Sequence, residues 1–389
     1  MTSIRSEMLK FHQYSFGEEE INEVVDTLRS GWITLGPKTQ KFEEDFCSYI
    51  GCSHAVGVYS CTSALTLSLA GLGIGPGDEV ITTPITFPAT VNEIIHLGGK
   101  PVFVDVEPGT LNMDASRIQE KVTEKTKAIL PVHFAGHPCD MDQILDIAKK
   151  HGLVVIEDAA HAIESEYKGR KIGAIGDATC FSFYATKNIT TGEGGMLTTN
   201  NEKLAEEART LRLHGITRDA WKRYGNEGFK HWEQVSLGYK CNMFDIQAAL
   251  GIHQLRKVNL FWERRKAICE QYDAAFKNVP EARPLKVSKD VKSAYHIYVL
   301  ALDTDRLRIS RNDFINEMMK RNVGLAIHFR SLTLQPYFRE NFPGCVGTVP
   351  VAESLSEKIA TLPLYPGMTD SDVQYVIDMV RDTVEKTRA

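Results

Sequence analysis

A mainly parallel sheet covered by helices, followed by a smaller α+β unit, is the fold this 389-residue sequence predicts. Three observations lead to it. Between about residues 50 and 200, short β-branched runs alternate with helical patterns, as in an α/β fold whose strands are joined by crossover helices. A proline-free amphipathic stretch then runs from Asp245 to Phe276, as one extended helix would. Beyond it, strand-like and helical segments mix. The length exceeds what one core usually holds, so two domains are expected, 1–250 and 251–389, the second entered through the long helix.

Taken in order, the first half reads as strand HAVGVYS (54–60), helix TSALTLSLAGLGI (62–74), strand DEVITTP (78–84), helix ATVNEIIHLGG (89–99) and strand PVFVDV (101–106). Strand KAILPVHF (127–134), helix MDQILDIAKKHG (141–152), strand LVVIEDA (153–159) and strand ATCFSFYA (178–185) continue it. The second half offers strand-like SAYHIYVLAL (293–302), helical RNDFINEMMKR (311–321), strand-like GLAIHF (324–329) and helical DSDVQYVIDMVRDTVEKT (370–387). In parallel sheets, ligands bind beyond the carboxyl ends of the strands, so residues at those ends are the first to consider.

Composition narrows the function. A formal charge of -5 provides no basic field to recruit nucleic acid or an anionic membrane. No apolar run is long enough to span a bilayer, and the N-terminus resembles neither a signal nor a transit peptide. Eight scattered cysteines without a CxxC pair favour reduced thiols over a disulfide framework or zinc site, so a cytoplasmic protein without metal is expected.

Three strand ends carry the chemistry. SCTSAL (60–65) follows the first strand and opens a helix, where hydroxyls and free N–H groups can hold an anion; the plain reading makes Thr62 or Ser63 an N-cap. LVVI ends in Glu157 and Asp158, which backbone alternation turns to opposite sides, leaving Asp158 as a carboxylate partner for a buried cation such as a pyridinium nitrogen. FSFYATKNITTGEGGML (181–197) places Lys187 just after a strand: a solvated loop charge by default, an imine-forming amine if burial lowers its pKa. Ser182, on that strand, can turn its hydroxyl toward the same anion as Thr62 and Ser63. Gly192, Gly194 and Gly195 either let the chain pass close to a ligand or make a plain turn.

These motifs, with SGWITLGPK (30–38), PVHFAGHPCDMD, GYKCNMFDIQAALGIHQL and LPLYPGMT, resemble the DegT/DnrJ/EryC1/StrS sugar aminotransferases over nearly the whole chain. The resemblance implies the aspartate aminotransferase fold (fold type I of the pyridoxal-phosphate-dependent transferases). It makes Lys187 the Schiff-base lysine and catalytic residue, and Asp158 the partner of the pyridine nitrogen. Phe87 becomes the aromatic stacked on the ring, His161 the neighbour of its hydroxyl, and Thr62, Ser63 and Ser182 the phosphate cup; many relatives carry Gly or Ala at the Cys61 position. GYKCNM matches a loop that reaches the other subunit of a homodimer, with Asn242 and, second, Lys240 as its contacts. Thr34, His328 and Arg330 fall where the family meets its nucleotide sugar, and an arginine suits a diphosphate. The implied partners are pyridoxal 5'-phosphate, L-glutamate and a nucleotide-linked keto-sugar, with GWIT and KNIT closer to members that aminate C4 than C3. A keto-cyclitol aminotransferase remains an alternative. A sugar 3-dehydratase would carry histidine in place of the lysine, and a non-catalytic regulatory member would be expected to lose Lys187 or Asp158; both residues are present.

Overall fold

The computed structural model describes residues 4–217 and 232–389. Its strands are β1 (His54–Val58), β2 (Glu79–Thr82), β3 (Lys100–Phe103), β4 (Thr126–Leu130), β5 (Val154–Asp158), β6 (Glu166–Tyr167), β7 (Arg170–Lys171), β8 (Ala178–Ser182), β9 (Gly195–Thr199), β10 (Ala282–Pro284), β11 (Val291–Lys292), β12 (Tyr298–Leu302) and β13 (Ile359–Leu362). Its α-helices are α1 (Glu18–Arg29), α2 (Pro37–Ile50), α3 (Cys61–Gly71), α4 (Pro88–His96), α5 (Met141–His151), α6 (Glu202–Leu211), α7 (Asp245–Phe276), α8 (Arg311–Lys320), α9 (Pro336–Asn341), α10 (Pro350–Ser356) and α11 (Asp370–Thr387).

Seven strands form the central sheet in the order β1-β9-β8-β5-β4-β2-β3. The pairs β2–β3, β2–β4, β4–β5 and β5–β8 are parallel, whereas β9 runs antiparallel to both β1 and β8. All six strands expected in this half are present. The seventh, β9, is the part of the glycine-rich tail that the alternation of strand and helix does not announce, because it returns directly from β8 without a crossover. Reversal at β9 leaves β1 parallel to β8, so the carboxyl ends of β1, β2, β5 and β8 share one edge.

Apolar strands buried on both faces need cover on both sides. One face packs on Phe42, Phe46, Ile144, Ala148 and residues of α7 such as Ala248 and Ile252. The other packs on Leu65 and Leu69 of α3 and Leu204 and Ala208 of α6. The cap of α3 is Ser60, whose Oγ accepts from Ser63 N–H at 3.1 Å, and not Thr62 or Ser63 as the plain reading supposes.

Helix α7 spans the predicted stretch. At its first turn, the buried Asp245 carboxylate accepts from the N–H groups of Gly36, Lys38 and Thr39 and from Thr39 Oγ. Farther along, Ile268, Tyr272 and Phe276 join a separate cluster with α8, α11 and the antiparallel sheet β10-β12-β13. Two strand expectations shrink here. SAYHIYVLAL is a strand only from Tyr298, and GLAIHF contributes an isolated bridge, Ala326 to Thr361, with irregular backbone around it.

Candidate active site

A cavity of about 470 Å³ opens at the shared carboxyl edge of the central sheet. Ser60 to Thr62 enter it after β1, Phe87 and Thr90 after β2, Asp158 from the end of β5, and Ser182 and Lys187 after β8. Lys187 lines this space and is partly accessible. Desolvation lowers its amine to about 8, against the opposing pull of Cys61 and Asp158.

Asp158 is 5% exposed and tightly held. Its Oδ2 accepts from Thr90 Oγ at 2.7 Å and its Oδ1 from Ala160 N–H at 3.1 Å. Glu157 points to the opposite face, as strand alternation requires: its oxygens meet His133 Nε2 at 2.8 Å, Gly176 N–H at 2.8 Å and Thr179 Oγ at 2.9 Å. It is therefore bound into the sheet's underside.

Gly195 explains part of the glycine-rich tail. A Cβ there would lie 2.4 Å from Ser60 C and 2.6 Å from Cys61 N, so β9 can pass the start of α3 only without a side chain. Gly192, at φ +78° with open space around it, is a turn glycine instead. The Cys61 side chain is accommodated by turning its thiol toward the Cys180 carbonyl at 3.5 Å.

Histidines and aromatics complete the lining. His161 is buried, stacks on Phe329 at 6.0 Å and lies 4.3 Å from the His296 ring. Its Nδ1 has no hydrogen-bond partner among the described residues. His328 lines the cavity with its Nδ1 3.0 Å from Thr361 Oγ, and burial, reinforced by the charge of Lys187, lowers its pKa to about 4. Phe87 is 60% exposed, in T-shaped contact with Phe329 at 6.1 Å. An apolar ring that open at a cavity mouth is available to a ligand.

Five of the sequence-derived residues lie elsewhere. Ser63 is buried beneath the loop, its hydroxyl 3.0 Å from Ser60 Oγ, and does not line the cavity. Thr34 is exposed, its carbonyl accepting from Asp245 N–H at 3.1 Å. Arg330 pairs with Glu357. Asn242 bridges to Val58 beside β1 and accepts from Lys240 Nζ, so that neither reaches the cavity of its own chain.

Thr90, His296 and Phe329 line the cavity although the sequence reading omits them. Thr90 carries a signal that could have been read, since it stands on the helix that opens just after Phe87. His296 and Phe329 stand on irregular backbone whose position no periodicity predicts. Among the described residues, no cluster of His, Cys, Asp or Glu could hold a metal ion, and no helix is long and apolar enough to cross a membrane.

The sequence matches the model of the DegT/DnrJ/EryC1/StrS aminotransferase family over residues 15–381. It is 53% identical to MJ1066 of Methanocaldococcus jannaschii, covering 99% of this chain and 100% of that protein. It is 48% identical to the spore coat polysaccharide biosynthesis protein SpsC of Bacillus subtilis, covering 99% of both. Among solved structures, Spr1654 of Streptococcus pneumoniae, named as a sugar aminotransferase, superposes in its PMP-form at TM-score 0.91 and 37% identity, over 97% of this chain and 99% of that one. The same protein is also solved in a PLP-form. A family match over nearly the full length, relatives at such identity and a lysine–carboxylate cavity at the strand ends agree: the chain belongs to the DegT/DnrJ/EryC1/StrS aminotransferase family.

Proposed function

We propose that this chain is a pyridoxal 5'-phosphate-dependent enzyme that moves an amino group from L-glutamate to the C4 keto group of a UDP- or dTDP-linked sugar. The observation that carries the reading is Lys187, an amine desolvated to about 8 in the same cavity as the anchored Asp158 carboxylate. The cavity's size suits a small-molecule site. The cofactor fits its polar groups, because His161 Nδ1 is a buried nitrogen without a partner among the described residues, and Phe87 is an uncovered ring at the mouth.

Thr62 and Ser182, with the first-turn N–H groups of α3 that have no intrahelical acceptor, would hold the phosphate. Asp158 would accept from the pyridine nitrogen, Phe87 would cover the ring face, and His161 would meet the ring hydroxyl. When bound, the cofactor supplies an aldehyde for the amine and an electron sink for the substrate carbon. Asp158 is oriented for that partner by its hydrogen bonds from Thr90 and Ala160. Lys187 Nζ takes up and returns the proton that moves during transfer; with a pKa near 8, roughly a tenth of it is neutral at pH 7. His328, uncharged at that pH, and Phe329 would exclude water from the substrate side.

Asn242, Lys240, Thr34 and Arg330 belong to this reading only through a homodimer, in which they would serve the neighbouring subunit's cavity. Ser63 then acts by supporting Ser60. C4 amination rests on the GWIT and KNIT motifs, nearest to those of the enzyme making UDP-4-amino-4-deoxy-L-arabinose, and SpsC suggests a polysaccharide as the product's destination. Eight unpaired cysteines accord with the cytoplasm.

Reconstituted protein should show the visible absorption of a lysine-bound cofactor, and glutamate should bleach it. Label from glutamate should then appear in one of a set of keto-sugar nucleotides. Absence of cofactor absorbance would sink the enzyme reading, and label entering only a C3 keto-sugar or a keto-cyclitol would replace the substrate.

A further inference from the structure

Behind Lys187 lies a buried polar chain that the proposed chemistry does not use. Asn188 Nδ2 is 2.7 Å from Glu164 Oε2 and 2.9 Å from the Ala294 carbonyl, and Asn188 Oδ1 is 2.8 Å from His296 Nδ1. A carbonyl only accepts, so the Asn188 amide nitrogen must face Ala294 and Glu164, and its oxygen must face His296. The proton on His296 is therefore on Nδ1. We propose that Glu164, Asn188 and His296 form a positioning network of this site: Glu164 and Ala294 orient Asn188, Asn188 fixes His296 as the Nδ1–H tautomer, and His296 presents a bare Nε2 to the cavity as a hydrogen-bond acceptor.

Several observations support it. All three side chains are buried, and His296 lines the cavity with its ring against His161. Its backbone is pinned as well, N–H to the Ala135 carbonyl at 3.1 Å and carbonyl to the Arg265 guanidinium at 3.1 Å. Burial, with the nearby His161, Lys187, Arg265 and His328, keeps the imidazole far below its usual pKa, so Nε2 remains an acceptor at neutral pH. Glu164 faces Arg265, Lys171 and Tyr49 besides Asn188, and its Oε1 has no hydrogen-bond partner among the described residues. Asn188 follows Lys187 directly, so the same anchoring fixes the backbone from which the amine reaches. The ligand group recognised by Nε2 is an N–H or O–H donor.

The proposal rests on the aminotransferase reading for its functional meaning, and its first test does not. Long-range nitrogen–proton NMR on holoenzyme labelled at histidine nitrogen, with His296→Gln to assign the signals, should show His296 as the Nδ1–H tautomer. That signature should persist without protonation from about pH 8 down to about pH 6. An Nε2–H tautomer, or an imidazolium in that range, would overturn the network. Glu164→Ala should lower kcat roughly tenfold, the upper scale of one buried hydrogen bond, with KM little changed, and Glu164→Gln, which still accepts from Asn188, should restore most of it. Wild-type kcat in Glu164→Ala with an unaltered signature would also overturn it. If Glu164→Ala does not fold, the wild-type spectrum alone decides. Failure of the wild type to take up pyridoxal phosphate would remove the proposed function, and the spectrum of the apoprotein would still decide the tautomer.

Discussion

One wall of the cavity hangs from strand ends: Asp158 closes β5, Ser182 closes β8 and Lys187 follows within a few residues. The other is carried by segments 293–297 and 323–330, where regular strand gives way to isolated bridges and His296, His328 and Phe329 project from irregular backbone. The first wall is fixed by a hydrogen-bonded ladder buried on both faces; the second is fixed side chain by side chain. Chemistry that every substrate needs would belong on the first wall, and selection among substrates on the second, which can change without disturbing the sheet.

Substitutions on the two walls should then fail differently. Lys187→Ala is expected to cut turnover by at least about 10³-fold, as loss of an acid–base group does, while retaining cofactor through the phosphate cup; single-turnover assays and equilibrium dialysis would check both. Asp158→Asn removes a charge-assisted hydrogen bond of about 2–3 kcal/mol, so a loss of roughly 10²-fold in kcat is expected. Thr90→Val leaves the carboxylate with one fewer donor and should cost about tenfold in the same assay. On the facing wall, His328→Gln should raise KM for the sugar several-fold and leave the glutamate half-reaction within about threefold. An equal loss in both half-reactions would erase the division between the walls.

Acid should also weaken the fold through its buried imidazoles. His12 and His328 have folded pKa values lowered to about 4 from an ordinary 6.5, mainly by burial. Below pH 6.5 the unfolded chain takes up protons on these imidazoles and the folded chain does not, so their contribution to stability falls progressively from pH 6.5 to about 4. Thermal unfolding across that range should show a declining midpoint, and His328→Gln should flatten part of the slope.

What the sequence discloses follows the same line. Six strands of the central sheet, the long helix and the Lys187–Asp158 pair were readable because buried parallel strands are apolar runs and their ends are marked by the first polar residues. Strand β9 escaped because its glycines read as a turn, while Gly195 in fact lets two backbones approach. Thr34, Arg330 and Asn242 were placed by resemblance, and within one chain they lie away from the cavity. His296 was hidden inside a run that looks like strand throughout but becomes one only at Tyr298.

Helix α7 carries one more consequence. Asp245 at its start gathers three N–H groups from the beginning of α2, and Arg265, twenty residues on, holds the carbonyls of His296 and Leu364 at 3.1 and 3.0 Å. Those contacts are about 30 Å apart along one rigid rod. The rod acts as a ruler with a phase as well as a length: inserting one residue between them would advance the far contact by about 1.5 Å and rotate it by about 100°. Between residues 245 and 265, then, this chain should accept substitutions far more readily than a change in residue number.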